Sequence, residues 1–202
     1  AVGDQVDIVG DLSGAKDTLA RIVRVRERTS VLRRTADDDD PYERVVVANA
    51  DQLAIVTALA DPEPRPRLID RALVAAFDAK MKPLLCLTKA DLADPETLLT
   101  TYRSLGVPWV VTRRGGDLTE LRHCLAGRTS VLVGHSGVGK STLVNGLIPD
   151  AGRDVGVVNA VTGRGRHTSV SAIMLALPGD AESAGWIIDT PGIRSFGLAH
   201  VR

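Results

Sequence analysis

Residues 129–147 read TSVLVGHSGVGKSTLVNGL, a strand pattern followed by a glycine-rich loop and a helix pattern. The first five residues are mostly β-branched or apolar, which predicts a buried strand, and the end of the stretch has helical character. The segment 134–141, GHSGVGKS, matches the pattern G-x-x-x-x-G-K-[ST] of a phosphate-binding loop. Because strand, loop and helix occur in the required order, we interpret this segment as a phosphate-binding loop and not as a chance glycine-rich turn.

Each part of such a loop contributes to nucleotide binding. The glycines let backbone N–H groups curl around phosphate oxygens, and the helix N-terminus adds partial positive charge. Lys140 would reach the β- and γ-phosphates, where it would also serve catalysis, and Ser141 would supply a Mg²⁺ ligand. The predicted nucleotide contacts in this region are Gly134, His135, Ser136, Gly137, Val138, Gly139, Lys140, Ser141 and Thr142.

A second short motif, DTPG at 189–192, ends the apolar strand pattern WIID. An Asp in this place can hold Mg²⁺ through water, and a glycine N–H can meet a γ-phosphate. The motif DxxG is weak alone, but it is much stronger after a phosphate-binding loop and at the end of an apolar strand, where parallel sheets bind ligands. We therefore predict Asp189 as a Mg²⁺ ligand and Gly192 as a nucleotide contact.

The segment GRGRHTS at 163–169 lies between these two motifs, where GTPases place the mobile segment whose Thr binds Mg²⁺ when γ-phosphate is present. Thr168 is the better candidate for that Mg²⁺ ligand, and Ser169 is the next. A second interpretation is a basic loop that contacts RNA. One segment could both bind Mg²⁺ and contact RNA, so the two interpretations do not exclude each other. His167 could orient water or contact RNA, or it could be a loop histidine without such a role.

Thr88-Lys89-Ala90-Asp91 ends the strand pattern PLLCL and matches the [NT]KxD motif by which GTPases recognise guanine. Asp91 would accept hydrogen bonds from the guanine N1–H and exocyclic amine, which adenine does not present on that edge, so an ATP-using enzyme is disfavoured. The aliphatic stem of Lys89 would lie along the base. Thr88 stands where Asn is commoner, and its single hydroxyl predicts somewhat weaker nucleotide affinity. Thr112, at the end of VPWVVT, suits the loop whose N–H groups contact guanine O6.

The order of these motifs is unusual. An ordinary GTPase runs from the phosphate-binding loop through DxxG to the guanine motifs, whereas here the guanine motifs come first. Cutting a doubly wound sheet after the DxxG strand and joining the old termini would preserve the site, because termini of compact domains often lie close together. Apolar strand patterns such as 45–59 alternate with amphipathic helix patterns such as 70–79, which predicts a parallel sheet covered on both faces. We therefore predict the α/β class, with a circularly permuted P-loop GTPase domain over 44–202.

Residues 1 to about 36 alternate apolar and polar side chains in short runs between turn residues, which predicts a small antiparallel β module. We place this first domain at 1–43. Its arginines are Arg21, Arg24, Arg26, Arg28, Arg33 and Arg34. They form either a solvated strand face or a nucleic-acid-binding barrel face. In the second interpretation the RNA contacts are Arg24, Arg26, Arg33 and Arg34. The acidic run 37–40 predicts a solvated loop between the two modules, because adjacent carboxylates repel and resist burial.

Composition narrows the function classes. The 25 basic and 25 acidic residues give zero formal charge, so a nucleic-acid partner must be met by a local patch. No apolar run approaches the roughly 20 residues of a membrane helix, and the first residues lack signal-peptide character, so we expect a cytoplasmic protein without membrane association. Cys86 and Cys124 are expected to be buried core thiols. Because the sequence does not begin with Met and stops soon after Asp189, we expect a piece of a longer protein.

The chain resembles the RsgA (YjeQ) family of circularly permuted, ribosome small-subunit-dependent GTPases. The segments that carry the resemblance are ARIVRVRERTSVLRR, ANADQLAIV, LIDRALVAA, LTKADL, GHSGVGKSTLVN, TGRGRHTS and IDTPGIRSFGL. The resemblance implies an OB-type barrel before the GTPase domain, Mg²⁺ with GTP or GDP, and hydrolysis of GTP to GDP and phosphate stimulated by the small subunit. It also implies a role in late maturation of that subunit through rRNA contacts, and we expect a monomer.

Two further points follow from the resemblance. Ile193 stands just after DTPG, where many GTPases have a catalytic Gln, so the resemblance makes His167 the candidate that positions the attacking water. The family normally ends in a zinc-binding module with Cys and His ligands. This chain does not include those ligands, so zinc is expected for the family but no zinc site is assigned here.

Two other functions stay open. One is a different permuted GTPase, for example a large-subunit assembly factor, although the basic β module and the GRGRHTS segment argue against it. The other is an RNA-binding module whose nucleotide is only structural. Turnover measured with and without ribosomal subunits separates such a module from an enzyme.

Overall fold

The computed structural model describes most of the 202-residue chain. The described residues are 1–13, 15–16, 18–35, 43–152, 172–179 and 184–190. Their strands are β1 (Val6–Gly10), β2 (Ala20–Val25), β3 (Val31–Thr35), β4 (Glu43–Ala48), β5 (Gln52–Ala58), β6 (Lys82–Thr88), β7 (Trp109–Val111), β8 (Thr129–Val133), β9 (Ile173–Ala176) and β10 (Trp186–Asp189). Their helices are α1 (Pro66–Asp78), α2 (Glu96–Tyr102), α3 (Thr119–Leu125) and α4 (Lys140–Leu147), with 3₁₀ turns at Arg103–Leu105 and Pro149–Ala151. Within these ranges, none of the helices has the length and apolar character that crossing a membrane requires.

Six strands form the central sheet in the order β7-β6-β5-β8-β10-β9. Five of them run parallel, and β9 pairs antiparallel with β10 at one edge. The sheet is therefore parallel as predicted, except for one antiparallel edge strand, an arrangement that is common in doubly wound folds. Strand β5 is buried along its whole length, which explains its near-continuous apolar sequence.

The two faces of the sheet have separate cores. On β5, Leu53 and Ile55 pack in one core with α1 and α2, whereas Ala54 and Val56 pack in the other core with α3 and α4. This alternation follows the two-residue period of a strand. The helices after β5 and β6 thus cover one face and the helices on either side of β8 cover the other. The winding direction changes between β5 and β8, and doubly wound folds bind ligands at the carboxyl ends of strands beside such a point.

Helix α1 begins earlier than its amphipathic pattern predicts. The pattern covers 70–79, whereas the helix runs Pro66–Asp78. A proline in the first turn has a suitable φ and lacks an N–H group that would otherwise need a partner. The helix can therefore start before its apolar periodicity becomes visible. Its inner face buries Ile69 and Leu73 against the sheet.

Strands β1 to β4 form two antiparallel two-stranded sheets, β1 with β2 and β3 with β4. Leu32 of β3 and Val47 of β4 are buried in the same core as α1. Strand β4 pairs with β3 as far as Ala48, and the first strand of the central sheet begins at Gln52. Closure of these strands into an OB-type barrel and the division into two domains stay predictions.

The two cysteines differ in burial. Cys86 of β6 is buried in the core, and that burial raises the pKa of its thiol to about 12. Cys124 of α3 is only half-buried. The expectation of two buried core thiols is therefore right for Cys86 and wrong for Cys124.

Candidate nucleotide site

The predicted motifs meet at one edge of the central sheet. Because β5, β6, β7, β8 and β10 are parallel, their carboxyl ends lie along the same edge. Thr88 ends β6, Thr112 follows β7, Gly134 follows β8 and Asp189 ends β10. The sheet order therefore brings the guanine motif and the phosphate loop to opposite sides of β5, with Asp189 on the far side of the loop.

Glycines give the phosphate loop its shape and its position on β5. Gly137 and Gly139 have φ values of +84° and +91°, in the region that favours glycine. Gly134 packs so closely on β5 that an added Cβ would come 2.5 Å from the Val56 carbonyl oxygen. The loop leads directly into α4, and N–H groups at the start of a helix lack intrahelical acceptors and favour anions.

Lys140, the first residue of α4, contacts the end of β10. Its ammonium forms an ion pair with the Asp189 carboxylate and donates a hydrogen bond of 2.5 Å to the Thr190 carbonyl oxygen. Asp189 is only 1% exposed, and the buried Thr190 hydroxyl donates to the Leu132 carbonyl oxygen at 2.7 Å. The predicted phosphate-binding lysine and the predicted Mg²⁺ ligand are therefore neighbours, although 49 positions separate them in the sequence.

The side chains at this edge fit a Mg²⁺ ion that a nucleotide carries. Mg²⁺ prefers oxygen ligands and is usually held by one or two carboxylates together with substrate phosphates and water. Asp189 offers a buried carboxylate, and Ser141 offers a hydroxyl in the first turn of α4. In the described part of the chain, no three His, Cys, Asp or Glu side chains come together as a metal cage. The donor set therefore suits a metal ion shared with phosphates.

Thr88 links the guanine motif to the phosphate loop. Its side chain is 4% exposed, and its hydroxyl donates to the Val138 carbonyl oxygen at 2.6 Å. The same hydroxyl lies 3.3 Å from the Thr57 carbonyl oxygen of β5. An Asn at this position would be expected to contact the phosphate loop through its amide, and here the Thr hydroxyl makes such a contact. Weaker nucleotide affinity as a result of the Thr stays a prediction.

The other residues of the guanine motif lie at the same edge. The Ala90 N–H donates to the Thr112 carbonyl oxygen at 3.1 Å, which joins the two loops predicted to hold the base. Lys89 has a φ of +59°, and its ammonium donates to the carbonyl oxygen of Asp61 in the loop after β5. Asp91 is exposed beside this lysine.

His135 is placed differently from the rest of the phosphate loop. Its side chain is 7% exposed and lines a small cavity with Thr57 of β5 and Ile69 of α1, so a nucleotide contact from this residue would come from its backbone. Burial lowers the pKa of His135, and the positive charges of Arg65 and Lys89 lower it further, against the hydrogen bond with the Ser136 carbonyl oxygen. Sequence reasoning missed both the orientation of this ring and the presence of Thr57. No motif includes Thr57, so no local signal could have found it.

The four predicted RNA-binding arginines lie on or directly after strands of two different sheets. Arg24 belongs to β2 and Arg26 directly follows it, whereas Arg33 and Arg34 belong to β3. Arg26 forms an ion pair with Asp7 at 2.6 Å. The structure therefore does not bring the four arginines together on one strand.

Several predicted site residues lie outside the described residues, and their roles stay predictions. They are His167, Thr168, Ser169, Gly192 and Ile193.

Comparison with known proteins assigns the family. The sequence profile of the RsgA GTPase family matches residues 25–199. The chain belongs to the RsgA GTPase family. The RsgA protein of Ectopseudomonas mendocina (strain ymp), named small ribosomal subunit biogenesis GTPase RsgA, is 49% identical over 164 residues, which cover 77% of this chain and 46% of that protein. The chain thus spans about half the length of the curated RsgA relatives that it matches.

Solved structures agree with the fold predicted for an RsgA protein. The crystal structure of YjeQ from Thermotoga maritima has a TM-score of 0.64 and 29% identity, over 100% of this chain and 62% of that chain. The crystal structure of YloQ, described as a circularly permuted GTPase, has a TM-score of 0.64 and 24% identity, over 100% of this chain and 60% of that chain. The predictions of the RsgA family and of a circularly permuted α/β GTPase fold are confirmed.

Proposed function

We propose that this chain binds and hydrolyses GTP and acts in the biogenesis of the small ribosomal subunit. The observation that carries the nucleotide part is the hydrogen bond from the Thr88 hydroxyl to the Val138 carbonyl oxygen, which holds a guanine motif against a phosphate loop. Membership of the RsgA family supports the ribosomal part, since the relative from Ectopseudomonas mendocina bears the name of a small-subunit biogenesis GTPase.

In this proposal the nucleotide lies along the carboxyl edge of the sheet. The base occupies the side of 88–91 and Thr112, and the phosphates occupy the side of 134–142. Gly192 belongs to the proposal on its sequence motif alone. Asp91 accepts hydrogen bonds from the guanine N1–H and amine, while Lys89 lies along the base. A site built for such donors rejects a ligand that lacks them by a factor of about 10⁴ or more. Guanine specificity thus rests on Asp91, which is exposed where a base can reach it.

Lys140 exchanges partners when phosphate binds. The ammonium now pairs with Asp189, and phosphate oxygens attract it more strongly because they carry more charge. Asp189 and Ser141 are the described residues that would hold Mg²⁺, directly or through water. Bound Mg²⁺ would neutralise charge that develops on the phosphates during transfer. Thr168 as a third ligand and His167 as the residue that positions the attacking water belong to the proposal on their sequence motif alone.

The proposed partner is the small ribosomal subunit with its rRNA, met in the cytoplasm by a monomer of this protein. The exposed side chains of Arg24 on β2 and Arg33 on β3 support phosphate contacts. Arg34 belongs to the proposal on its sequence alone. Arg26 contributes less, because its guanidinium already pairs with Asp7.

Hydrolysis of GTP by the purified chain alone, with small subunits and with large subunits tests this function. We expect slow turnover alone and faster turnover only with small subunits. Stimulation by large subunits would instead favour a large-subunit factor. Subunit binding with bound nucleotide but without turnover would favour an RNA-binding module whose nucleotide is structural. Competition with ATP checks the base specificity in the same assay.

A further inference from the structure

Two buried polar side-chain atoms lack a hydrogen-bond partner in the described part of the chain, namely Thr57 Oγ1 and His135 Nε2. Both residues line the same cavity, beneath the phosphate loop where β5 and β8 meet α1. Thr57 is 3% exposed and His135 is 7% exposed, so bulk water does not solvate them freely. Burial of a polar atom without a partner costs free energy, and such pairs of atoms in one cavity indicate a bound polar molecule.

The other nitrogen of the His135 ring determines what Nε2 can do. Nδ1 lies 2.9 Å from the Ser136 carbonyl oxygen. A carbonyl oxygen only accepts, so Nδ1 carries the proton and donates it to this hydrogen bond. In the neutral ring Nε2 is then an acceptor. Burial, with the charges of Arg65 and Lys89, lowers the pKa of His135 and so favours this neutral form. The Thr57 hydroxyl can donate or accept.

We propose that one buried water molecule bridges His135 Nε2 and Thr57 Oγ1, and that this bridge makes His135 a positioning residue for the phosphate loop. The water donates one hydrogen to Nε2 and shares a second hydrogen bond with the Thr57 hydroxyl. A cavity of about 10 Å³ holds a single water. Apart from Arg65, the other side chains that line the cavity are aliphatic, among them Ile55, Ile69, Ala72 and Val133. This lining suits a small neutral molecule between the two polar atoms.

The end of β5 already holds the site in two other ways. The Thr57 carbonyl oxygen lies 3.3 Å from the Thr88 hydroxyl of the guanine motif, and the Val56 carbonyl oxygen lies directly against Gly134. A water between Thr57 and His135 adds a third link, to the residue after Gly134. His135 thereby fixes the start of the loop, and its Nδ1–H fixes the Ser136 carbonyl. This inference rests on the proposed function only for its effect on nucleotide binding.

The test compares Thr57→Val, which removes the hydroxyl at nearly constant shape, with Thr57→Ser, which keeps it. A high-resolution crystal structure of the wild-type chain should show one water within hydrogen-bond distance of both atoms. The water should persist in Thr57→Ser and be absent from Thr57→Val. GDP dissociation should be faster in Thr57→Val by about 2- to 10-fold, the range of one hydrogen bond, and close to wild type in Thr57→Ser.

A double-mutant cycle adds a readout that a general loss of stability would not move. His135→Asn keeps an amide donor for the Ser136 carbonyl but lacks the atom equivalent to Nε2, so its dissociation rate should match that of Thr57→Val. The double variant should release GDP no faster than either single variant, because each substitution removes the same water bridge. Additive effects, equal rates in Thr57→Val and wild type, or a cavity without the water would each overturn the inference. A wild-type chain that bound no guanine nucleotide would refute the proposed function instead, and the crystal structure would still decide whether the water is there.

Discussion

The carboxyl edge of the central sheet and the β1–β2 hairpin differ sharply in burial. At the edge, Thr88 and Asp189 are 4% and 1% exposed and bond to buried backbone or to Lys140. Every residue of β2 is exposed, and Ile8 and Ile22, which pair across the hairpin, are 44% and 60% exposed. Isolated two-stranded hairpins are marginally stable. The edge therefore gets its geometry from the core, whereas the hairpin has little of its own core to hold its side chains.

The ion pairs of the two regions show the same difference. Lys140 and Asp189 have side chains that are 11% and 1% exposed, whereas those of Arg26 and Asp7 are 60% and 33% exposed. An exposed pair contributes about 0–1 kcal/mol because water and salt screen it. Removing one partner of a buried pair costs about 3–5 kcal/mol, because the other charge stays in a poorly solvated place. Substitutions should therefore have large effects at the edge and small ones in the hairpin.

Lys140→Ala should give the largest effect on turnover. Removing a cation that stabilises charge on the transferring phosphoryl group costs about 10²-fold or more in turnover. Single-turnover hydrolysis of GTP measures it. Lys82→Ala is the matched control, because Lys82 is an exposed lysine at the opposite, amino end of β6. Turnover within a few-fold of wild type in Lys140→Ala would place the chemistry elsewhere.

Leu85→Ala and Ile22→Ala compare the two regions in stability. Leu85 of β6 is fully buried, so its truncation should lower the free energy of unfolding by about 2–5 kcal/mol. Ile22 is mostly exposed, and its truncation should cost only about 0.5 kcal/mol. Denaturant unfolding of both variants measures the difference. Equal losses would show that the hairpin is packed as firmly as the sheet.

The positions of the site residues could be predicted because they depend on a simple rule. Motifs at the ends of parallel strands meet at one edge, so the guanine motif, the phosphate loop and Asp189 could be placed together from the sequence. The apolar pattern over 45–59 is nearly continuous, so it could not predict that this stretch forms two separate strands, β4 and β5. Asn49, with a φ of +56°, turns the chain between β4 and β5, and Asn is one of the few residues that adopt this conformation readily.

Thr88→Val should have an intermediate effect, because it removes the hydroxyl that joins the guanine motif to the phosphate loop. The Val138 carbonyl oxygen would lose its 2.6 Å hydrogen bond in a buried place, at a cost of about 1–3 kcal/mol. GDP affinity should fall by about 10-fold, and Thr88→Ser should retain most of it. Fluorescent GDP titration makes the comparison. Unchanged affinity in Thr88→Val would show that the link does not matter for binding.

Arg24→Ala should have the smallest effect, seen only in subunit binding. Loss of one phosphate contact should reduce the salt slope of binding by about 0.7–0.9 and leave GDP affinity unchanged. Arg26→Ala should change the slope less, because Arg26 already pairs with Asp7. Binding to small subunits across a salt series measures both. If both variants kept the salt slope of the wild-type protein, the arginines would form a solvated strand face that does not bind RNA.

The orientation of His135 and the antiparallel direction of β9 could not be predicted, because both depend on contacts with other elements and not on a local sequence pattern. The phosphate-loop pattern specifies glycines, Lys140 and Ser141 but leaves the position of His135 free. Its ring is placed by Thr57 and α1, which are distant in the sequence. The direction of β9 depends on its pairing with β10, and the apolar pattern of a strand is the same in either direction.

The central claim is that 88–91 and the phosphate loop form one guanine-nucleotide site, and nucleotide selection by Asp91→Asn tests it most directly. Xanthine has a carbonyl oxygen where guanine has an amine, so an Asn amide can donate where the Asp carboxylate accepted. Affinities for GTP and xanthosine triphosphate should be measured for both proteins. We predict that wild type prefers GTP and that Asp91→Asn loses about 10²-fold or more in GTP affinity while it gains affinity for xanthosine triphosphate. An Asp91→Asn protein that binds GTP as tightly as wild type would contradict the account.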